Sequence, residues 1–350
     1  MYNSRTLIRR ERYIKSFTVF ALLCFFAWTI FAVENMMASV VLALVITYLL
    51  NPFVNKLERK GTRRTTSILL LFVVVSLGLS LLVSLFYPIL STQIGDLQAE
   101  LPKYQIGIVK LISNLEKKAQ EIMGGYYSFD IIKGINTLIA ESAGALFSNI
   151  PDFASKFLTV FILAPFFAFF MLRDGRGVVR QFLRMMPNNL FELALNLNYQ
   201  INEQMGDFIR ARLLEAGIVG FVIWVGLAII GFPYASILAI FAALTNLIPY
   251  VGPFIGAVPA IAIALINKDP SIIIFLVCMT YAIAQIIDIV FIIPMVVAKI
   301  VNLHPVFVVV VIIIGSQLMG ILGMIISIPV ASALKLTFTA LYDHLINFRS

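Results

Sequence analysis

Asp288 stands inside an apolar run, 271–293, with Gln285 three residues before it, so the two share one helix face. A carboxylate at membrane depth is costly and is found where ions, protons or ligands pass. Asp288 could serve as a proton or cation ligand reached by a wet cavity. It could equally be capped by backbone amides or paired with a basic residue such as Lys299. Asn246 lies just before the run Ile248-Pro249-Tyr250-Val251-Gly252-Pro253, with Gly256 one turn later. Its amide both donates and accepts, which suits an ion, a polar solute or a stretch of unwound backbone. Gln317 occupies the matching interruption of the last apolar block, between Gly315 and Gly320, and carries the same readings.

The remaining reactive residue types point away from catalysis. Cys24 and Cys278 lie in apolar runs with no redox or metal-ligand spacing, as packing residues do. His304 precedes Pro305 and reads as a structural cap, while His344 sits near the C-terminus with no nameable partner. Arg212 and Glu215 open an apolar run and read as an interfacial pair or a snorkelling arginine. No phosphate-binding loop, nucleophile elbow or zinc-helix pattern occurs. The chain therefore reads as a non-enzyme that does not itself burn ATP and needs no cofactor, a coupling proton or sodium ion aside.

The elements that position these residues must be membrane helices. Of 350 residues, 61% are hydrophobic and only 13% charged, with a mean hydropathy of +0.98. That lies well outside the soluble range. The net charge of +8 does not indicate nucleic acid. Lysines and arginines cluster in short segments beside apolar runs, the positive-inside pattern of a polytopic protein. Basic residues from Arg5 to Lys15 lead into a first span, 16–33, without a cleavage pattern, which places the N-terminus in the cytoplasm. Further spans are expected at 36–50, 65–90, 153–172 and 213–231, with a basic loop after Asn51-Pro52.

The block 236–266 cannot be one simple span. Two prolines around a glycine stop the helical ladder in its middle, leaving arms of about 20 Å against a core of about 30 Å. Irregular backbone at that depth must be buried in protein or line a cavity, and broken helices mark substrate sites in transporters. A re-entrant hairpin is the functional reading. Two plain helices brought close by Gly252 and Gly256 form the alternative. The block 304–337 could be a second hairpin, interrupted near Gly315-Ser316-Gln317 and Gly320 to Gly323 and again at Pro329.

Outside the bilayer, 91–152 should form a small extracytoplasmic helical lobe. Ile94, Leu97, Leu101, Tyr104, Ile108, Leu111 and Leu115 recur at three and four, the spacing of a helix packed on a helix. Pro102 predicts a bend or two separate helices there, and a further amphipathic helix is expected over 129–147. A cytoplasmic amphipathic stretch, 190–208, is expected to lie under the headgroups or to dock as a gate. The division is thus 1–90 spans, 91–152 lobe, 153–172 span, 173–212 cytoplasmic segment, 213–340 transport bundle and 341–350 tail. The fold class is all-α and polytopic, with about eight membrane segments that include one or two broken-helix hairpins.

Taken in order, several motifs resemble those of the bacterial autoinducer-2 exporter family of permeases. They are Asn51-Pro52 with Leu57, Arg59, Gly61 and Arg63-Arg64; Leu172-Arg173-Asp174-Gly175; and the Ile248–Pro253 run with Gly256 and Pro259. Gln285 and Asp288 before Pro294, Leu303-His304-Pro305, and Gly320 to Gly323 leading to Ile328-Pro329-Val330-Ala331 complete the set. The resemblance implies a multi-pass protein of the bacterial inner membrane in a homo-oligomer, possibly a pentamer. It implies export of autoinducer-2 or, in some members, sodium or lithium–proton antiport. Asp288-Ile289 departs from the acid–amide pair that the family often carries, and Asn246 stands where some relatives carry an acid. On these grounds the expected partners are the lipid bilayer, a small polar solute and copies of the chain itself. Three functions follow: a secondary transporter of a small polar solute, a cation–proton antiporter centred on Asp288, or a non-transporting membrane scaffold.

Overall fold

The computed structural model describes residues 18, 28–29, 32–33, 35–122, 150–186, 188–249, 251–290 and 303–347. Most of the expected first span, all of the expected helix at 129–147, and Tyr250, Pro294 and Lys299 lie outside the described residues. Among the described residues the chain is helical and has no strand. The helices are α1 (Met36–Arg59), α2 (Arg64–Ile122), α3 (Ile150–Arg184), α4 (Asn188–Ile230), α5 (Ala235–Asn246), α6 (Gly252–Ile266), α7 (Ser271–Ile287) and α8 (Pro305–Asn347). Six are long and apolar enough to cross a membrane, while α5 and α6 are short. Leu77, Leu81, Val83 and Leu85 of α2 are exposed on the isolated chain, as side chains that face lipid must be.

Three helices run further than their sequence suggests. α1 passes through Pro52 and ends only at Lys60-Gly61, where Gly61 takes φ 95°, so the expected loop after Asn51-Pro52 is helical. α2 contains Pro88 and Pro102 and is one helix, about 90 Å long, rather than two. Each interior proline costs about 3 kcal/mol, less than an uninterrupted ladder of 59 residues returns. α4 joins the expected surface segment 190–208 to the span after it, which removes a separate helix lying in the headgroups. The hydropathy break at Arg210, Arg212 and Glu215 interrupts the apolar pattern, not the backbone hydrogen bonds.

The described parts of the chain form two compact units. One draws on Met1–Val73, Phe153–Ile209 and Val306–Ser350, the other on Val74–Asp152 and Arg210–Pro305. In the first unit, Leu50, Val54, Ile68 and Leu172 form a core at the end of α1. Beside it the two basic motifs meet: Arg64 donates to the Leu172 carbonyl at 2.6 Å and to Glu58 at 3.0 Å. Arg176 donates to the same Glu58 oxygen at 3.1 Å and to Asn55 at 2.7 Å. Glu58 thus ties two arginines from different helices, which is how the motifs after the second and fourth expected spans act together.

The same unit holds α8, which is a hairpin. Met319 (φ −143°, ψ 15°) and Gly320 (φ 59°, ψ −141°) are non-helical. Residues 315 and 323 would stand about 12 Å apart along a straight helix. Instead, a Cβ on Gly315 would meet the Gly323 carbonyl oxygen at 2.5 Å and the Ser327 Cβ at 2.7 Å. Only a chain that reverses at 319–320 brings them together. In the second unit the core joins Tyr104 of α2, Val219, Ile223 and Leu227 of α4, and small residues of α5 and α6 to Val277, Tyr281 and Ala284 of α7. α5 packs on α6, and α6 on α7.

Candidate functional site

The break between α5 and α6 is built from turns, and most of its backbone donors are satisfied. Leu247 and Ile248 bond back to the carbonyls of Leu244 and Thr245, Val251 to Pro249 and Gly252 to Ile248. Pro249, Gly252 and Gly256 are buried and Pro253 is half-buried. The two arms touch at the glycines. A Cβ on Gly252 would drive into the Thr245 carbonyl and stand 2.8 Å from the Asn246 Cα. One on Gly256 would meet Thr245 Oγ1 at 2.8 Å and the Ala242 Cα at 3.1 Å. The hairpin and the close approach of Gly252 and Gly256 are therefore one feature, not rival readings.

The base of this hairpin is anchored by polar contacts. Trp224 Nε1 donates to Ser236 Oγ at 3.2 Å, and the Ile237 amide donates to Gln93 Oε1 at 3.3 Å. Tyr104 of α2 donates to Glu100 at 2.8 Å and stands edge-on to Tyr234, centroids 6.2 Å apart. Gly107 lets α2 approach so closely that a Cβ there would strike Ile266 at the end of α6.

At the other end, Asn246 closes α5 and faces a buried charged group. Arg212 and Glu215 lie one turn apart on α4, and Arg212 Nη1 donates to Glu215 Oε1 at 2.5 Å. Glu215 also faces Asn246 and Asp288. Asp288 ends α7, where the helix widens into a π-helical turn over 288–290, a local unwinding common at functional sites. Relative exposures are 1% for Glu215, 3% for Asp288 and Asn246, and 8% for Arg212. Glu215 Oε2, Asp288 Oδ1 and Asn246 Nδ2 are buried without an aligned hydrogen bond. Alongside is a cavity of about 20 Å³, lined by Asn246, Pro253, Tyr281 and Gln285 among apolar side chains. It has room for about one water. Tyr281, itself 9% exposed, brings a hydroxyl without a partner to that cavity.

The structure thus brings Asn246, Pro249, Gly252, Pro253, Gly256, Gln285 and Asp288 to one place. Gln317 is not among them: it is exposed on the second hairpin, in the other compact unit. Glu215 and Arg212, expected at an interface, are buried, and Glu215 is the residue that sequence reasoning missed. The available signal was an Arg-x-x-Glu spacing running straight into Ala-Gly-Ile-Val-Gly, a carboxylate with apolar neighbours on its C-terminal side. Asp288 is enclosed by protein.

Several helices long and apolar enough to cross a membrane, two hairpins and a buried ionisable cluster define a multi-pass helical membrane protein of the transporter class. The chain belongs to the AI-2E family of transporters, matching it over residues 17–343. It is 28% identical over 247 residues to YrrI of Bacillus subtilis (strain 168), covering 70% of each chain. It is 28% identical over 265 residues to YueF of the same organism, covering 73% of this chain and 70% of the relative. Both are provisionally named transport proteins. TqsA of Escherichia coli (strain K12), named an AI-2 transport protein, is 24% identical over 226 residues, 65% of this chain and 63% of TqsA. The family is one of transporters, not of enzymes.

Proposed function

We propose that the chain is a secondary transporter exporting a small polar solute, autoinducer-2 or a related molecule, across the bacterial inner membrane. The N-terminus is then cytoplasmic, and transport proceeds by alternating access at the α5–α6 hairpin, in a homo-oligomer. The observation that carries this reading is the hairpin itself: two arms too short to cross, packed on each other, ending over a buried polar cluster. Arms of 12 and 15 residues span about 18 and 22 Å, against about 30 Å of hydrocarbon. A cavity sized for one water admits no furanone, so the arms must part for solute to pass.

The test is uptake of labelled autoinducer-2 by reconstituted protein in which Cys24 and Cys278 are replaced by alanine. A cysteine is placed at Val251, exposed at the first break, or at Leu318, exposed at the second. Bulky maleimide labelling of the first should stop flux, and labelling of the second should leave it. Absent flux in the unlabelled protein, or flux indifferent to labelling at 251, would overturn the reading.

A further inference from the structure

The last turns of α1 carry charge in an ordered way. From Met36 to Asn55 the helix has twenty residues without a charge, about 30 Å at helical rise and so the thickness of the hydrocarbon core. Lys56 therefore stands at the edge of that core, and Phe53 one turn inside it. At about 100° per residue, Phe53, Lys56 and Lys60 share a face with Arg59 beside them, while Val54 and Glu58 point the opposite way. Val54 is fully buried, and Glu58 is held by Arg64 and Arg176. Phe53, Lys56, Arg59, Lys60 and Arg63 are all exposed, and Lys56 Nζ lies 6.0 Å from the centroid of the Phe53 ring. Among the described residues, no carboxylate pairs with any of these four cations. The turn that follows is firmly built. The Lys60 and Gly61 amides donate to the Leu57 and Glu58 carbonyls at 3.0 Å, and Thr62 Oγ1 donates to the Leu57 carbonyl at 2.7 Å.

We propose that this corner binds an acidic phospholipid, with an acyl chain along Phe53 and the phosphate among Lys56, Lys60 and Arg63. Depth selects the class of partner: Phe53 lies below the headgroups, where a lipid chain reaches and a soluble polyanion does not. Charge selects the headgroup. Four cations with no carboxylate among them favour a headgroup of net negative charge over a zwitterionic one, whose ammonium they repel. The other basic residues of this unit each lack one of these conditions. Arg64 and Arg176 are engaged by Glu58, and Arg173 by Asp174 at 2.8 Å. Arg180 and Arg184 are exposed, but they stand about 11 and 17 Å past Arg173 along α3, away from the lipid. The lipid site holds whatever solute the protein carries.

The test uses full-length protein in which both tryptophans, Trp28 and Trp224, are replaced by phenylalanine and Phe53→Trp supplies the reporter. The protein is reconstituted in mixed phosphatidylcholine and phosphatidylglycerol vesicles, in which one lipid or the other carries brominated chains that quench an indole on contact. The expected result is phosphatidylglycerol enriched beside position 53 by about fivefold or more over its bulk share, the factor that one cation contributes at an anionic surface. Combining Lys56→Gln, Lys60→Gln and Arg63→Gln should return the quenching to bulk composition. Two controls should keep the enrichment: Lys56→Arg with Lys60→Arg, which preserves the charge, and Arg180→Gln with Arg184→Gln, which removes charge elsewhere. Quenching that follows bulk composition in the reporter protein, enrichment that survives the triple substitution, or loss in either control would overturn the proposal. So would displacement of the brominated lipid by soluble poly-glutamate, which would identify a soluble acidic partner instead.

Discussion

The two hairpins share a geometry and differ in chemistry. In each, the arms meet where a glycine leaves no room for a side chain: Gly252 against Thr245 and Asn246 in the first, Gly315 against Gly323 in the second. The first turns after Asn246, with Pro249 buried and Asn246 facing Glu215, which also meets Arg212 and Asp288. The second turns at Met319 and Gly320, with Leu318, Ile321 and Gln317 exposed. Close approach makes a hairpin, then, and it takes a buried charge beneath one to make a site. The second hairpin shows the bare architecture, and the first carries a buried charged group beside its tip.

The largest effect should follow from removing the cation at the first hairpin. Arg212→Gln removes the cation bonded to the buried Glu215, and breaking a buried pair costs about 3–5 kcal/mol. A steep fall in thermal stability in detergent is expected, and no charged residue of the second hairpin should match it. Next come the glycines, where the two hairpins should behave alike. Gly252→Ala and Gly323→Ala each press a methyl onto a backbone carbonyl that cannot step aside, at a cost of about 3 kcal/mol. Similar losses in melting temperature would support a shared geometry; a harmless Gly323→Ala would deny the second hairpin its close approach. Gly320→Ala meets no neighbour within 4 Å but must hold φ 59° with ψ −141°, so about 1–3 kcal/mol is expected from backbone strain alone.

Much of this was legible in the chain, and the rest was hidden for physical reasons. Pro249-Tyr250-Val251-Gly252-Pro253 announces a break because proline cannot donate, so the hairpin and Asn246 could be read directly. The second turn was visible as a cluster of glycines, though nothing in the sequence favours Met319-Gly320 over Pro329, which remains inside its helical arm. Helix continuity was the harder matter. Hydropathy drops at Arg210, Arg212 and Glu215, but backbone hydrogen bonds are indifferent to side-chain charge, so α4 runs on. The same drop concealed Glu215, because a charge at the head of an apolar run looks hydrated until its neighbours are known. Its partner Asp288 lies 73 residues away in sequence, beyond the reach of any local pattern.

The smallest change in stability should be the most informative about function. Asn246 and Gln317 occupy equivalent places in the sequence of their hairpins, yet one is buried with an unaligned amide and the other is exposed. Asn246→Leu keeps the branched shape, at slightly larger volume, and removes an amide whose nitrogen has no aligned partner, so the lost attraction to Glu215 is offset by relief from burying a bare donor. The net should stay within about 1 kcal/mol. Transport should nevertheless fall by about tenfold or more, equivalent to about 1.4 kcal/mol of barrier, because nothing then links the hairpin tip to the carboxylates. Gln317→Leu should leave both melting temperature and flux close to the parent protein. Measuring the two side by side in proteoliposomes decides whether the polar tip or the hairpin shape carries transport: equal losses would return the function to the shape common to both hairpins.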